Sequence, residues 1–394
     1  MRSTQTLWSA WRRTAAAVAT ALLGLAALLP GCGGVGSGGT GSFASGPITG
    51  YGSIVVGSVH FDESAAEIRA EDGTPLAAAQ LALGMVVQVR GGEVVDAQAL
   101  ASQVVAASEL VGRVDAVDVA TSRLTVNGVV VRTHAGTAFD AAFAGALAGV
   151  AVGDTVEVWG LPDSSTGEVS ATRVAPRSGV ASYQFRGELA ALDAKTRRFA
   201  IGTQGFDAGA LAAWPAGLDN GVTVRVITAT ARGSTTQRWS VQSLIVVDAP
   251  PRDLDEATVN GLISRLRSQT DFNVDGVKVD ATTAAIVGGP LALGQRVAVQ
   301  GRLQGGVLQA TQVSVQPERG DDDFEMKGTI AGVDALAKRF SLVGRSELVS
   351  YAGPGVKFED GSEASLQPGR RVKASGVLSA DGTRLEATKI EFSD

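Results

Sequence analysis

The sequence predicts an all-β protein made of five tandem repeats, each a small five-stranded barrel or barrel-like sandwich. Three observations indicate this class. Glycine accounts for 50 of the 394 residues and hydrophobic residues for 45%, which is typical of short strands joined by tight turns. A phrase with one glycine followed by alternating apolar residues recurs along the chain. Hairpin signals such as Asn127-Gly128 and Asp275-Gly276 stand between short alternating segments.

The first element, residues 1–31, is predicted to be an export signal peptide. Arg2, Arg12 and Arg13 precede an apolar run at 14–30. This run is shorter than the ~20 residues that a membrane-spanning helix needs, so a removable signal is favoured over a membrane anchor.

Cys32 is the candidate lipidation site. The segment Leu29-Pro30-Gly31-Cys32 resembles the lipobox of bacterial lipoproteins, a resemblance that implies lipid modification of Cys32 and a new N-terminus there. Gly33 follows the cysteine, which by the same resemblance implies anchoring in the outer membrane of the cell envelope, with the protein facing the periplasm or the cell surface. The alternative is a chance cysteine after an ordinary signal. Cys32 is the only cysteine, so an intramolecular disulfide is excluded.

Residues 32–46 are predicted to comprise the anchor cysteine and a flexible tether rich in glycine and serine. Removal of residues 1–31 takes away three arginines and no acidic residue, so 31 basic residues face 40 acidic ones and the net charge is near −9. A strongly basic footprint is absent, so the sequence predicts no nucleic-acid partner.

The repeats are recognised by a nearly fixed period. Their central glycines are 69, 68, 73 and 75 residues apart, and they are Gly84, Gly153, Gly221, Gly294 and Gly369. Such a period is the signature of a repeat architecture. The predicted boundaries are 47–108, 109–178, 183–250, 257–318 and 324–394.

Each repeat is predicted to hold five strands, with room for one helical turn between the third and the fourth. In the fifth strand the apolar positions change face midway, as in Leu308 and Ala310 followed by Val313 and Val315. Such a strand needs a bulge or a sharp bend. The predicted bulge positions are Thr172, Ser243, Thr311 and Thr388. Short, bent antiparallel strands with glycine at the corners favour an OB-like barrel.

Several phrases of the chain resemble the repeats of an uncharacterised bacterial lipoprotein family, the domain of unknown function 5666. They are GPITGYGSIVVGSVHFD (46–62), LALGMVVQVRG (81–91), LTVNGVVV (124–131) and VGDTVEVWG (152–160). Repeat three departs from the pattern, because its fourth strand reads VRVITATARG and does not close on a glycine. Its barrel is therefore expected to be distorted. The resemblance implies architecture and envelope location, and it implies no catalytic residues.

The sequence offers no catalytic or metal-binding constellation. His60 and His134 lie in different repeats without a third ligand at metal-like spacing. No GxSxG elbow occurs. The acidic residues Asp321, Asp322 and Asp323 form a run without the spacing of an EF-hand loop, so a solvated linker is favoured over a calcium site. No cofactor is predicted.

The predicted function is therefore that of a non-catalytic, lipid-anchored array that binds or scaffolds envelope components, whether proteins or polysaccharides. The alternatives are a polysaccharide-binding protein and, less favoured, an enzyme with a site between repeats. Trp214, in the loop ALAAWPAGL, is the candidate ligand-binding residue, because exposed aromatic rings bind sugars. The enzyme alternative predicts a deep pocket with two convergent titratable groups from neighbouring repeats.

Overall fold

The computed structural model of the protein describes residues 41–163, 166–233, 237–247, 250–274, 276–316, 324–345, 347–379 and 381–393. The predicted signal peptide, Cys32, most of the predicted tether and the acidic run at 321–323 lie outside these residues. Residues 39–394 form one compact unit. Within the described part of the chain, no helix is long and apolar enough to cross a membrane.

Repeats one and two consist of short strands and one 3₁₀ turn each. Repeat one contains β1 (Ser42–Pro47), β2 (Gly50–Tyr51), β3 (Ile54–Val56), β4 (Val59–Asp62), β5 (Glu67–Ala70), the 3₁₀ turn Ala78–Gln80, β6 (Val86–Gly91) and β7 (Gln98–Ala106). Repeat two contains β8 (Leu110–Asp118), β9 (Arg123–Val126), β10 (Val129–Arg132), β11 (Ala138–Phe139), the 3₁₀ turn Ala146–Gly149, β12 (Thr155–Asp163) and β13 (Glu168–Pro176).

The remaining repeats follow the same plan. Repeat three contains β14 (Tyr183–Asp193), β15 (Arg198–Ile201), β16 (Gln204–Asp207), β17 (Thr223–Arg232) and β18 (Trp239–Val246). Repeat four contains β19 (Leu254–Leu266), β20 (Asp271–Val274), β21 (Val277–Asp280), β22 (Ala285–Val287), β23 (Arg296–Gln304) and β24 (Val307–Val315). Repeat five contains β25 (Phe324–Asp334), β26 (Arg339–Leu342), β27 (Leu348–Ser350), β28 (Lys357–Glu359), the 3₁₀ turn Glu363–Ser365, β29 (Arg371–Leu378) and β30 (Arg384–Ser393).

Every repeat closes into a barrel with the strand order one-two-three-five-four-one. In repeat two, β8 pairs antiparallel with β9, β9 with β10, and β12 with both β13 and β8, while β10 pairs parallel with β13. The predicted all-β fold of OB-like barrels is confirmed. The hairpin between β9 and β10 turns at Asn127 (φ 50°) and Gly128 (φ 80°), the positive angles that a type I′ turn requires. Asp275 of the corresponding turn in repeat four lies outside the described residues.

The predicted bulge of the fifth strand is confirmed. The register shifts by one residue at Thr172, Thr311 and Thr388. In repeat three the extra residue is Gln242, one position before the predicted Ser243. In repeat one, where the phase change is weakest, it is Ser102.

The bulge lets the fifth strand exchange one partner for another. In repeat four, β24 pairs with β21 before Thr311 and with the short strand β22 after it. In repeat two the bulge hydroxyl of Thr172 donates a hydrogen bond to the carbonyl oxygen of Gly84 in repeat one. In repeats one, four and five the bulge hydroxyl donates to the carbonyl oxygen of the residue that precedes the closing glycine of the fourth strand. These bonds join Ser102 to Arg90 (3.0 Å), Thr311 to Gln300 (3.2 Å) and Thr388 to Ser375 (3.1 Å). The hydroxyl therefore holds the backbone where the ladder is interrupted.

Repeat three is distorted, as its sequence predicts. Thr228 occupies the position of the closing glycine and is fully buried. The pairing of β17 with β18 shifts a second time between Thr228 and Arg232. Between these two pairs β17 advances by four residues and β18 by only two. The fourth strand therefore bends away from the fifth here, whereas in the other repeats the two strands stay regularly paired.

The predicted tether ends earlier than expected. The sequence predicts that residues 42–46 belong to the tether, but Ser42–Pro47 form the buried strand β1. This strand pairs antiparallel with β6 of its own repeat and parallel with β19 of repeat four. Phe43 packs into the core of repeat four and Ala44 into that of repeat one. A Cβ atom added at Gly46 would approach Cβ of Asn260 to 3.0 Å, so β1 lies close to its neighbouring strand in repeat four.

The five barrels share sheets and cores. Besides the pairing of β1 with β19, β2 pairs with β25 of repeat five, and β8 of repeat two pairs with β14 of repeat three. One core cluster combines repeats one and five, and it also receives Trp159 and Leu161 of repeat two. A second cluster combines repeats two and three. Repeat one therefore contacts repeats that are distant in sequence, and the barrels form a single body.

Candidate ligand cleft

The candidate site residues named from the sequence are not brought together. Cys32 lies outside the described residues. Trp214 is half-buried, packs against the core of repeats two and three, and has the guanidinium of Arg197 5.7 Å from its ring centroid. His60 and His134 are half-buried in different repeats, and His60 Nδ1 lies 3.8 Å from Glu325 Oε1. The role of Trp214 in ligand binding stays a prediction.

A cleft of about 390 Å³ lies between repeats two and three, with Ser264 of repeat four among its lining residues. Its apolar wall includes Leu110, Val129, Val169, Leu189 and Ile201. Clefts of this volume with apolar walls and a few polar groups are the usual form of small-molecule sites. The cleft therefore has the size and the lining of a ligand site.

A buried ionic network forms the side of the cleft where repeats one, two and three meet. Arg186 Nε donates to Glu71 Oε1 at 3.0 Å, and Arg186 Nη1 donates to Glu109 Oε1 at 2.8 Å. The side chains of Arg186, Glu71 and Glu109 are 10%, 8% and 1% exposed. A second group of polar side chains lies at the same junction. Arg225 Nη2 donates to Gln184 Oε1 and lies 3.4 Å from Asp72 Oδ2. One cation thus serves two buried carboxylates.

Glu109 is the most perturbed group of this network. Burial raises its pKa from 4.5 to about 7, the charge of Arg186 opposes the rise, and the charge of Glu71 adds to it. Its second oxygen, Oε2, is buried and has no hydrogen-bond partner among the described residues. Glu109 is among the residues that line the cleft, but its side chain is only 1% exposed, so this oxygen lies behind the surface of the cleft.

The raised pKa of Glu109 predicts that the protein loses stability as the pH rises. Between pH 4.5 and about 7 the folded state holds a proton on Glu109 that the unfolded state has released, so the free energy of unfolding falls across this window. The expected loss is about 3 kcal/mol. Urea unfolding at pH 5 and pH 8 measures it, and Glu109→Gln should remove this part of the difference. Glu157→Gln is the control, because it makes the same replacement at a carboxylate paired with Arg177, and it should keep the difference between the two pH values. Equal pH dependence in both variants would contradict the assignment to Glu109.

Glu188 adds a second perturbed carboxyl group to the cleft. Burial raises its pKa, while a hydrogen bond from Ser264 and the charge of Arg265 act in the opposite direction. It lies two residues after Arg186 on β14, so both side chains project from the same face of the strand. Residues from repeats two and three thus place two carboxyl groups in one cleft.

Sequence reasoning missed Glu109, Arg186 and Glu188. One signal in the sequence points to Arg186. In YQFRGEL this charged residue stands just before the glycine, at the position that the apolar Val111 occupies in repeat two. A charged residue at a core-adjacent strand position predicts a buried partner. No local pattern identifies that partner, because Glu109 lies 77 residues earlier.

Among the residues that the structure describes, no group of three or more histidine, cysteine, aspartate or glutamate side chains could hold a metal ion. The described lining of the cleft contains no histidine.

Comparison with known proteins finds a family model that matches three segments of the chain. A family model described as a domain of unknown function (DUF5666) matches residues 111–175, 260–314 and 327–391. No curated protein matches the chain in sequence. The solved structure of drosophila Unr CSD456 is 14% identical, and the alignment covers 53% of this chain and 97% of that chain. Its TM-score of 0.15 is too low to carry an argument about this protein.

The three matched segments coincide with the barrels of repeats two, four and five, and repeat three, whose closing glycine is replaced, is not among them. Repeats two, four and five thus each match the domain of unknown function 5666.

Proposed function

We propose that the protein is a non-catalytic component of the bacterial cell envelope, anchored in the outer membrane through lipidated Cys32, whose body of five barrels binds or scaffolds other envelope components. The observation that carries the proposal is the cleft between repeats two and three, which is walled by apolar side chains and exists only because the barrels are fused. The lipobox-like segment before Cys32 supports the anchoring.

Binding is favoured over catalysis for a chemical reason. The enzyme alternative requires two convergent titratable groups from neighbouring repeats, and Glu109 and Glu188 meet that requirement. However, Glu109 Oε1 is engaged by Arg186, and Ser264 has no histidine base in the described lining of the cleft. Crosslinking in intact cells followed by purification tests the scaffold role. A defined substrate turned over without any partner would contradict it.

Replacement of Cys32 by alanine tests the anchor. We expect the unaltered chain to incorporate an alkyne-tagged fatty acid and to sediment with the membrane fraction, since several acyl chains give stable anchoring. Cys32→Ala should lose the label and leave the membrane fraction. Ser37→Ala, within the predicted tether, is the matched control and should behave like the unaltered chain. Membrane sedimentation and labelling that persist in Cys32→Ala would contradict the proposal.

Polysaccharide binding is the second candidate, and Trp214 is the observation that favours it. Its ring is partly exposed in a loop, as a sugar-stacking residue requires, although one contact is already made by Arg197. Recovery of glycan and not of protein in the crosslinked material would favour this candidate.

A further inference from the structure

Two of the acidic residues in the cleft between repeats two and three lie behind its surface. The acidic residues among its described lining are Glu109, Asp163, Glu168 and Glu188. The side chain of Glu109 is 1% exposed, and its Oε1 accepts a hydrogen bond from Arg186. Asp163 is 8% exposed and has an interaction of its own. Neither residue therefore offers its charge to a ligand.

The other two acidic residues are already compensated. Glu168 is paired at 3.1 Å and 3.7 Å with two arginines of its own repeat, Arg132 and Arg123. Glu188 accepts a hydrogen bond from Ser264 and lies near the charge of Arg265. A charged ligand would thus enter without a free counter-charge in the described lining, and burying an unpaired charge is costly. The ligand that fits the cleft is uncharged.

The accessible walls of the cleft are apolar. Val129, Pro162 and Ile201 line it and are half-buried, and Ala190 lines it and is exposed, so their carbon atoms reach the cleft. Burying apolar ligand surface against such walls is favourable. The volume of about 390 Å³ corresponds to about 13 non-hydrogen atoms, at the ~30 Å³ that one water molecule occupies in the liquid. The cleft therefore suits a small molecule with an apolar body.

Asn220 adds an accessible hydrogen-bond donor to this lining. Its Oδ1 accepts a hydrogen bond from the backbone N–H of Leu192 at 3.0 Å. Its Nδ2 has no acceptor among the described residues, and the residue is exposed. The side-chain amide can therefore donate to a ligand without giving up the bond that holds it in place. Apolar walls with a few placed polar groups are typical of small-molecule sites.

From the compensated charges, the apolar walls and the amide donor of Asn220, we propose that this cleft binds an uncharged small molecule with an apolar body and a carbonyl acceptor. The body contacts Val129 and Ile201, and the carbonyl oxygen accepts from Asn220 Nδ2. This inference rests on the binding function proposed above and names the class of ligand that the cleft takes.

Photolabelling of the full chain in mild detergent at pH 8 tests the proposal. Benzophenone is an uncharged ketone that reacts with nearby C–H groups on irradiation, and peptide mass spectrometry locates the labelled residues. We expect label at Val129 and Ile201 that excess benzylacetone, an uncharged ketone, displaces. Phenylbutyrate and phenylbutylamine, of similar shape but anionic and cationic, should need at least about tenfold higher concentrations, because their charges find no free partner. Absence of label from the cleft, or displacement by either charged compound at the concentration of benzylacetone or below, would overturn the proposal.

Variants test the donor and the cavity separately. Asn220→Asp keeps the acceptor for Leu192 N–H but removes the donor, so displacement by benzylacetone should weaken about tenfold, whereas displacement by butylbenzene, which has no acceptor, should change less than about twofold. Asn273→Asp, the same replacement at a residue of repeat four that does not line the cleft, should leave both unchanged. Ala190→Phe should fill the cleft and abolish displaceable label, and Ala194→Phe, in the adjacent turn, should not. Equal weakening for ketone and hydrocarbon in Asn220→Asp, or unchanged label in Ala190→Phe, would overturn the assignment.

These results are distinguishable from those that test the scaffold role. Failure to label the cleft in a protein that still crosslinks to envelope components in cells would overturn this inference alone. Displaceable label in the cleft of a protein without crosslinked partners would support this inference and contradict the scaffold role.

Discussion

Replacing Arg186 with methionine should lower the free energy of unfolding by about 3–5 kcal/mol, the typical cost of removing one partner from a buried ion pair. Arg186 is the cation between Glu71 Oε1 (3.0 Å) and Glu109 Oε1 (2.8 Å), and all three side chains are at most 10% exposed. Methionine fills the space but leaves two buried carboxyl groups without compensation. The measurement is the urea-unfolding curve of the full chain at pH 8.

The matched control is Arg198→Met in the same repeat. Arg198 lies 3.1 Å from Asp207, but its side chain is 45% exposed. Exposed pairs contribute about 0–1 kcal/mol, because water screens the charges. Adding Glu109→Gln to Arg186→Met should recover part of the loss, since one buried charge is then removed. A loss in Arg186→Met no larger than that in Arg198→Met would show that the network does not stabilise the junction of the repeats.

Replacing Gly376 with alanine should lower the free energy of unfolding by about 1–3 kcal/mol or more, the usual cost of overpacking. A Cβ atom at this position would collide with the carbonyl oxygen of Glu386 and approach Cα of Ala387 to 2.9 Å. Both are backbone atoms of the neighbouring strand, held beside the bulge at Thr388. Because they cannot rotate away as a side chain could, the two strands must separate.

Gly353→Ala is the control for the same repeat. No atom lies within 4 Å of a Cβ added there, so the free energy of unfolding should change by no more than about 0.5 kcal/mol. The comparison of urea midpoints separates the collision from the general effect of removing a glycine. Equal midpoints for Gly376→Ala and Gly353→Ala would mean that the closing glycine is not required by the bulge.

Repeat three shows how the chain accommodates a larger residue at this position. Thr228 replaces the glycine, and the fourth strand takes a second register shift before Arg232. A side chain at the closing position is therefore compatible with a barrel only where the following strand leaves the regular ladder. This agrees with the prediction that departure from the glycine pattern distorts the barrel.

The features predicted from the sequence are those encoded by short stretches of chain. The turn at Asn127-Gly128 follows from two residues that accept positive φ. The bulges at Thr172, Thr311 and Thr388 follow from a change of apolar phase within one strand. The end of the tether was misplaced, because nothing local to residues 42–46 announces the two strands that enclose them.

The cleft could not be predicted, since each of its carboxyl groups reads as an ordinary strand residue. Glu109 precedes an apolar strand and Glu188 follows a glycine, as solvent-facing residues commonly do. Their burial arises from the approach of β14 to β8 and of Ser264 to Glu188.

The sequence by itself determined the barrel, its bulges and its repetition, because alternation, turn residues and close-approach glycines act over a few residues. The short strands β5, β11, β22 and β28, which pair with the fifth strand beyond its bulge, were not predicted. Only the tertiary structure decided that the barrels fuse, with β1 entering repeat four and β2 entering repeat five. It also decided that Glu71, Glu109 and Arg186 share one junction. These pairings join residues separated by tens to hundreds of positions, so their energies depend on surfaces that exist only after each barrel has formed.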